Sequence, residues 1–232
     1  ISTNGIFPVD SKAYHENDTP EPVHLKEDVD LDKFTPFLSE GYAMTKWVAE
    51  RMVTVAESRG LPVSILRPGN MAGSSLTGIS NPDDLNYLLI QGILDAGCAP
   101  LLDTTYALDL TPVDFAAKAV TQLAVLSPHL IIGQRMHLQS PHKPVPLEKV
   151  VDWLNDQLGH SIKPVTRDEW MERISTTNEK LSSGWLSFEK YFEAYSWLEM
   201  DSNNLQQALK DSAVKCPDFD VELLKKWFPN IV

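Results

Sequence analysis

A chain of 232 residues, 43% hydrophobic and 22% charged, is long enough to bury a core as one large or two small globular domains. Its formal net charge of -12, with no Lys/Arg-rich run, would repel a polyanion and argues against nucleic-acid binding. The longest apolar runs, Pro62 to Leu66 and Ala124 to Ile132, are too short and interrupted to cross a bilayer, while two cysteines, Cys98 and Cys216, suit a reducing compartment, so no membrane and a cytoplasmic location are expected.

The chain opens at Ile1 with no Met, charged n-region or apolar h-region, and so reads as a fragment rather than a natural start or a signal peptide. Residues Phe7 to Leu38 carry Pro8, Pro20, Pro22 and Pro36 among scattered acids, which predicts a long surface loop, with the acids from Glu16 to Asp32 on a solvated face. From Ser39 to Arg59 the pattern changes to an amphipathic helix: Ser39 is a potential N-cap, Ala43, Trp47, Val48, Met52 and Val55 recur at helical spacing, and Gly60 is a natural stop. Pro62 to Leu66 is short and β-branched and predicts a buried parallel strand, ended by Arg67-Pro68-Gly69. Helix then strand is half of a repeating α/β unit.

Further along, Asp83 to Ala96 predicts a helix ended by Gly97, and Tyr106 to Leu110 a short extended piece. Thr111-Pro112-Val113-Asp114 has the makings of a helix start, with Thr as N-cap, Pro at N1 and Asp114 satisfying first-turn amides; that helix should run to about Leu126. Arg135 to Gln139 alternates like a strand, Leu147 to Leu158 is amphipathic and closed by Gly159, and another helix begins over Thr166 to Ile174. Trp153, Trp170, Trp185, Trp197 and Trp227 sit in helical patterns and are expected in the core. His15, His24, His129, His137, His142 and His160 show no metal-ligand spacing, so no metal is expected.

The sharpest local feature is Tyr42-Ala43-Met44-Thr45-Lys46, which puts a phenol and an ammonium on one helical face within reach of each other. A free phenol titrates near ~10 and is a poor acid-base catalyst at neutral pH until a nearby cation stabilises the phenolate. Taken alone the pair is weak evidence, since an ordinary helix carries a surface Tyr and Lys at this spacing by chance. Its surroundings add weight, because Ile1-Ser2-Thr3-Asn4-Gly5-Ile6-Phe7 looks like the end of a parallel strand delivering the Thr3 hydroxyl at the sheet edge where doubly wound folds bind ligands. Thr3 by itself is equally a strand-end hydroxyl capping a turn.

Thr3, then Tyr42 and Lys46 one turn apart on the next helix, then a strand running into Arg67-Pro68-Gly69, together resemble the extended short-chain dehydrogenase/reductase family. The segment Leu66-Arg67-Pro68-Gly69-Asn70-Met71-Ala72-Gly73-Ser74-Ser75-Leu76-Thr77-Gly78 and the block Leu108-Asp109-Leu110-Thr111-Pro112-Val113-Asp114-Phe115 are similar to its thioester reductase branch, the carrier-protein reductases, over most of the chain to about Ile174. The resemblance implies an α/β fold: the C-terminal part of a Rossmann-type doubly wound parallel sheet over residues 1–140, with a substrate-domain insertion around 79–105, and a smaller, mostly helical substrate region over 141–232. It implies Thr3, Tyr42 and Lys46 as catalytic residues. Tyr42, Lys46, Arg67, Pro68, Gly69, Asn70 and Met71 would contact NADPH.

The implied substrate is an acyl or peptidyl thioester on the phosphopantetheine arm of a carrier protein, reduced to an aldehyde or on to an alcohol. No Gly-x-Gly-x-x-Gly occurs in the chain, so the turn that cradles the cofactor's pyrophosphate is expected upstream of Thr3, and this stretch alone is expected to bind NADPH poorly. Two other readings stay open: an extended short-chain dehydrogenase/reductase acting on a free small carbonyl or sugar nucleotide, and an inactive truncated binding module.

Overall fold

The computed structural model describes residues 1–15, 22–101, 106–185 and 198–229. In chain order the elements are β1 (Val23–Leu25), α1 (Gly41–Ser58), β2 (Ile65–Pro68), β3 (Met71–Ala72), α2 (Leu85–Ala96), β4 (Cys98–Pro100), β5 (Ala107–Leu108), β6 (Thr111–Pro112), α3 (Val113–Thr121), β7 (Arg135–Leu138), β8 (Val145–Pro146), α4 (Leu147–Asp152), β9 (Lys163–Val165), α5 (Arg167–Thr177), β10 (Leu198–Met200), α6 (Asn203–Leu209) and α7 (Val221–Trp227). They gather into two compact units, each drawn from three stretches of chain. Unit 1 comprises Ile1–Met71, Phe115–Pro141 and Trp197–Cys216, and unit 2 comprises Ala72–Asp114, His142–Ser196 and Pro217–Val232. The chain passes between the units after Met71, after Asp114 and after Pro141. Within unit 1, β10 pairs in parallel with β1 and α6 packs on β7, pairings that local sequence does not announce.

In unit 1, β2 and β7 pair in parallel, from Ile65 opposite Arg135 to Pro68 opposite Leu138. The strand begins later than Pro62 because the Val63 carbonyl is taken by a turn, accepting from the Gly133 amide at 2.7 Å, and Ile65 donates the first bond across, to Gln134 at 3.0 Å. Arg67 and Pro68, expected to end the strand, lie inside it, and the chain leaves at Gly69. Helix α1 starts at Gly41 with Glu40, not Ser39, at the N-cap and no side-chain cap bond. It stops as expected: Gly60 takes φ +93°, a conformation open to glycine, and its amide bonds the Glu57 carbonyl at 2.8 Å. Leu66, Phe115, Ala119, Leu123, Met136, Leu138, Leu205 and Leu209 form the apolar core between this sheet and its helices.

The described residues of the stretch Phe7 to Leu38 include, besides irregular chain, β1 and 3-10 segments over Ser11–Ala13 and Leu31–Phe37, more regular structure than the loop its prolines imply. Residues 16–21 of its acidic run lie outside the described residues. Within the same run Glu27 contradicts the solvated face: it is 2% exposed, because its carboxylate caps backbone amides of β7 and of the start of α6.

Unit 2 is built on apolar helix faces. Asp84 caps α2 through the amides of Asn86 at 3.0 Å and Tyr87 at 3.2 Å, and Gly97 ends the helix. Thr166 and Glu169 form a reciprocal capping box at the start of α5. Strand β4 pairs in parallel with β9, and β5 pairs antiparallel with β8. The core gathers Leu89, Ile93, Val150, Leu154, Ile174, Leu181 and Leu224 around Trp170, Trp185 and Trp227, as expected for those indoles, while Trp153 packs at its margin and Trp197 lies outside the described residues.

Two helix ends differ from expectation. Thr111 and Pro112 are extended and buried rather than cap and first turn, so α3 begins at Val113. The Asp114 carboxylate accepts from the Ser75 amide at 2.6 Å and the Ser75 hydroxyl at 2.9 Å, so it anchors the segment after β3 in addition to standing in a helix first turn. The helices expected to reach Leu126 and Leu158 continue past α3 and α4 as wider π turns over Gln122–Leu126 and Trp153–Gln157. Among the described residues no helix is long and apolar enough to cross a membrane.

Candidate active site

The catalytic and cofactor-contact residues expected from the sequence lie in unit 1: Thr3 in the opening segment, Tyr42 and Lys46 on the first turns of α1, and Arg67 to Met71 at the C-terminal end of β2 and the start of β3. The opening residues do not form a strand. Only the Ser2 amide follows the expected course, bonding the Leu66 carbonyl at 2.7 Å, after which Thr3, in extended conformation, caps a 3-10 turn over Asn4–Ile6. The Thr3 hydroxyl oxygen accepts from the Gly5 amide at 3.0 Å, which leaves its own hydrogen to donate.

Helix α1 packs against this turn and brings Tyr42 to it. A Cβ placed on Gly5 would stand 3.4 Å from the Thr3 hydroxyl oxygen and 3.6 Å from Cε1 of Tyr42, so the two side chains flank a residue with no side chain of its own. Tyr42 is 55% exposed, and the Lys46 ammonium lies 5.8 Å from the centre of its ring. Thr3, Tyr42 and Lys46, separated by up to 43 sequence positions, therefore share one corner of unit 1. An exposed phenol, a hydroxyl with a free hydrogen and a cation behind the phenol are the groups needed to donate to an oxygen gaining negative charge.

Pro68, Gly69, Asn70 and Met71 follow at the end of β2, each half-buried. A Cβ on Gly69 would come 3.2 Å from Cβ of Gln139 and 3.4 Å from Nδ2 of Asn4, so glycine allows the chain to leave the strand beside those two amides. They bond each other, Asn4 Nδ2 donating to Gln139 Oε1 at 2.8 Å, and Gln139 Nε2 donates onward to the Met200 carbonyl at 2.8 Å.

Arg67 is placed otherwise than its inclusion among cofactor contacts implies. Its side chain is 2% exposed and turns into unit 1, where Nε and Nη2 donate to the two carboxylate oxygens of Glu50, each at 2.9 Å, and Nη1 donates to the Glu27 carbonyl at 2.9 Å. Its guanidinium also lies 5.6 Å from the centre of the Phe7 ring. A buried cation must be paired in this way to remain charged, so this side chain is committed to the interior.

Around Arg67 the sequence reading missed Glu50, Glu27 and His137. His137 Nδ1 bonds the Asp201 carbonyl at 2.6 Å, so that nitrogen carries the proton and Nε2 faces Arg67 Nη1 at 3.4 Å as an acceptor. Burial, reinforced by the neighbouring Arg67 charge, pushes the imidazole down to about 4. Glu27 Oε1 and Oε2 accept the amides of His137 at 2.8 Å and Asn204 at 2.5 Å; burial pushes its carboxyl up to about 7, against the pull of those bonds. One signal for Glu50 was available: a lone Arg in the apolar run Ile65-Leu66-Arg67 calls for a buried acid, and Glu50 is one turn past Lys46 on the inner face of α1. Among the described residues no group of three or more His, Cys, Asp or Glu side chains could hold a metal ion.

Residues 1–120 match the NAD-binding family described as "Male sterility protein". A linear gramicidin synthase of Brevibacillus parabrevis is 31% identical over 214 residues, which are 89% of this chain and 4% of that protein. Glycine betaine reductase ATRR of Emericella nidulans is 34% identical over 171 residues, 74% of this chain and 12% of that one. The solved terminal R domain from the myxalamid PKS-NRPS biosynthetic pathway aligns over 100% of this chain and 56% of its own, with a TM-score of 0.76 and 30% identity. The chain thus spans only a small part of the curated relatives and about half of that solved domain. The fold is that of a Rossmann-type reductase domain of the extended short-chain dehydrogenase/reductase class.

Proposed function

This chain belongs to the NAD-binding family described as "Male sterility protein", and from that premise we propose that it carries the catalytic residues of an NADPH-dependent thioester reductase. The substrate is an acyl or peptidyl group held as a thioester on the phosphopantetheine arm of a carrier protein, and the products are the aldehyde and the free thiol. The observation that carries the reading is the convergence of Thr3 and Tyr42 on Gly5 with Lys46 beside the Tyr42 ring. The names of the relatives support it, two being a linear gramicidin synthase and a glycine betaine reductase.

The residues present fit the nicotinamide end of the cofactor. The two glycines, Gly5 and Gly69, keep Cβ atoms out of the corner, and Tyr42 and Lys46 offer a phenol and an ammonium to ribose hydroxyls. We assign cofactor contact to Tyr42, Lys46, Pro68, Gly69, Asn70 and Met71, leaving out the buried Arg67 side chain. When bound, the cofactor supplies hydride to the thioester carbonyl carbon. Tyr42 donates a proton to the carbonyl oxygen as charge develops there, and the Thr3 hydroxyl donates a second hydrogen bond to the same atom; the hemithioacetal so formed then loses its C–S bond, its hydroxyl proton passing to the departing sulfur to leave the aldehyde and the free thiol. Lys46 supports the phenolate that Tyr42 becomes and orients the ribose.

The test is turnover of a carrier-loaded acyl thioester by the full-length protein and by its Tyr42→Phe variant. The phenol contributes general-acid catalysis, so kcat should fall about 10²–10⁴-fold with the fold retained; near-normal turnover by the variant overturns the assignment. Comparing NADPH with NADH, and loaded thioesters with free aldehydes and sugar nucleotides, checks the cofactor and substrate parts separately.

A further inference from the structure

We infer that the buried Glu50–Arg67 pair is the positioning element of this active site, holding the Tyr42/Lys46 helix in register with the Thr3 turn. The inference rests on the reductase reading above for its catalytic consequence, and on geometry alone for its structural one. Glu50 stands four residues past Lys46 and eight past Tyr42 on α1, so the three lie along one side of the helix over about two turns. Its carboxylate is gripped at both oxygens, each at 2.9 Å, by a guanidinium that belongs to β2. Two parallel bonds between planar groups fix direction as well as distance, so α1 is held against both sliding along the strand and rolling about its axis.

The same guanidinium reaches the other half of the site. It lies 5.6 Å from the centre of the Phe7 ring, and Phe7 closes the turn that Thr3 opens, its amide bonding the Asn4 carbonyl at 3.2 Å. The strand residue before it, Leu66, accepts the Ser2 amide at 2.7 Å. Arg67 therefore links the segment that offers the Thr3 hydroxyl to the helix that offers Tyr42 and Lys46, without standing in the site itself. Its remaining partners, the Glu27 carbonyl at 2.9 Å and His137 Nε2 at 3.4 Å, both lie at Nη1, on the edge away from Glu50, and help fix its plane.

The need for such a device follows from the surface of the site. Tyr42 is 55% exposed, and Met44, Val48 and Met52, which project from the opposite side of the helix, are also exposed, so packing of these side chains does little to hold the first turns of α1. The α1 N-terminus has no side-chain cap bond either. Small displacements of a reacting group weaken catalysis strongly, so a helix that carries an acid must be seated by something other than the acid's own contacts.

Two variants of the full-length protein test this: Glu50→Gln, which keeps the shape but loses the charge, and Glu50→Leu with Arg67→Met, which removes both charges together. Each is followed by the nuclear Overhauser effect between the Tyr42 ring and the Gly5 α-protons and by steady-state turnover of a carrier-loaded acyl thioester. The Tyr42–Gly5 effect should weaken in both variants while signals of the Leu66–Met136 core persist. Turnover should show kcat lowered tenfold or more and KM changed less than threefold, a split that a loosened fold alone does not produce. Folded variants that keep both the Tyr42–Gly5 contact and kcat within twofold of the parent overturn the inference. Failure of both to fold also overturns it, since the pair would then be a folding requirement. If the parent protein does not reduce thioesters, the reductase reading fails, and the Tyr42–Gly5 contact still decides the positioning role.

Discussion

Unit 1 and unit 2 keep their interiors in different ways. In unit 1 the apolar cluster of Leu66, Met136, Leu138 and their neighbours adjoins a buried polar knot of Arg67, Glu50, Glu27 and His137. In unit 2 the interior is aromatic and aliphatic, with Trp170 against Trp185 at 5.5 Å between ring centres and Phe219 stacked on Trp227 at 5.4 Å. Apolar contacts are non-directional and tolerate small shifts, whereas a bidentate ion pair holds one geometry. Unit 2 has its own buried hydrogen bond, Tyr106 to Asn86 at 2.7 Å, but the bidentate ion pair lies in the unit whose job in the proposed reaction is to hold a proton donor in place.

The contrast is broken most severely by large changes in either interior. Trp170→Ala in unit 2 should cost about 3–5 kcal/mol in urea unfolding, because a fully buried indole leaves a cavity that no single second change refills. Arg67→Met in unit 1 should cost a similar 3–5 kcal/mol by leaving the Glu50 carboxylate buried and unpaired. The difference lies in repair: adding Glu50→Leu should restore most of the Arg67→Met loss. No recovery on adding Glu50→Leu would show that the knot is held by packing rather than by charge pairing.

Acid and base dissect the knot further. The folded His137 pKa, about 4, lies below its ordinary 6.5, so its contribution is complete above pH 6.5 and is lost as pH falls from 6.5 to 4. The folded Glu27 pKa, about 7, lies above its ordinary 4.5, so its contribution is complete below pH 4.5 and is lost as pH rises from 4.5 to 7. Each amounts to about 3 kcal/mol at one pKa unit per 1.36 kcal/mol, and between pH 4.5 and 6.5 they oppose each other. These two contributions should therefore nearly cancel there, leaving the fall with rising pH up to about 6 that Asp109 adds, its carboxyl pushed up to about 6 by burial in unit 2. Relative to the parent protein, His137→Gln should add a fall with rising pH, and Glu27→Gln a fall with falling pH; denaturant midpoints taken across pH 4–8 check both signs.

The smallest effect is expected where charge meets solvent. His24 and Glu199 bond at 2.9 Å across the β1–β10 pair with side chains 74% and 62% exposed, so Glu199→Ala should change stability by less than about 0.5 kcal/mol. A loss comparable to that of Arg67→Met would erase the distinction between a surface pair and a buried one.

Local pattern made a good part of this legible. The spacing of Ala43, Trp47 and Met52 with Gly60 beyond them specified α1, because a helix and its glycine stop are written in contiguous residues. Tyr42 and Lys46 came with it as neighbours one turn apart, and the tryptophans of unit 2 followed from size and helical context. What stayed hidden depended on distant partners. Thr111 and Asp114 have the composition of a helix cap, but Ser75, 39 positions away, takes the carboxylate. Glu27 looked like one more surface acid until the amides of His137 and Asn204, 110 and 177 positions distant, turned it inward. Arg67 belonged to a motif whose neighbours border the site, yet its side chain points to Glu50 instead. Sequence alone therefore determined which residues could do chemistry and which helix carries them, since periodicity and side-chain type are local properties. Only the tertiary structure decided which charges are buried and what each one holds, because desolvation and pairing depend on the groups that folding brings together.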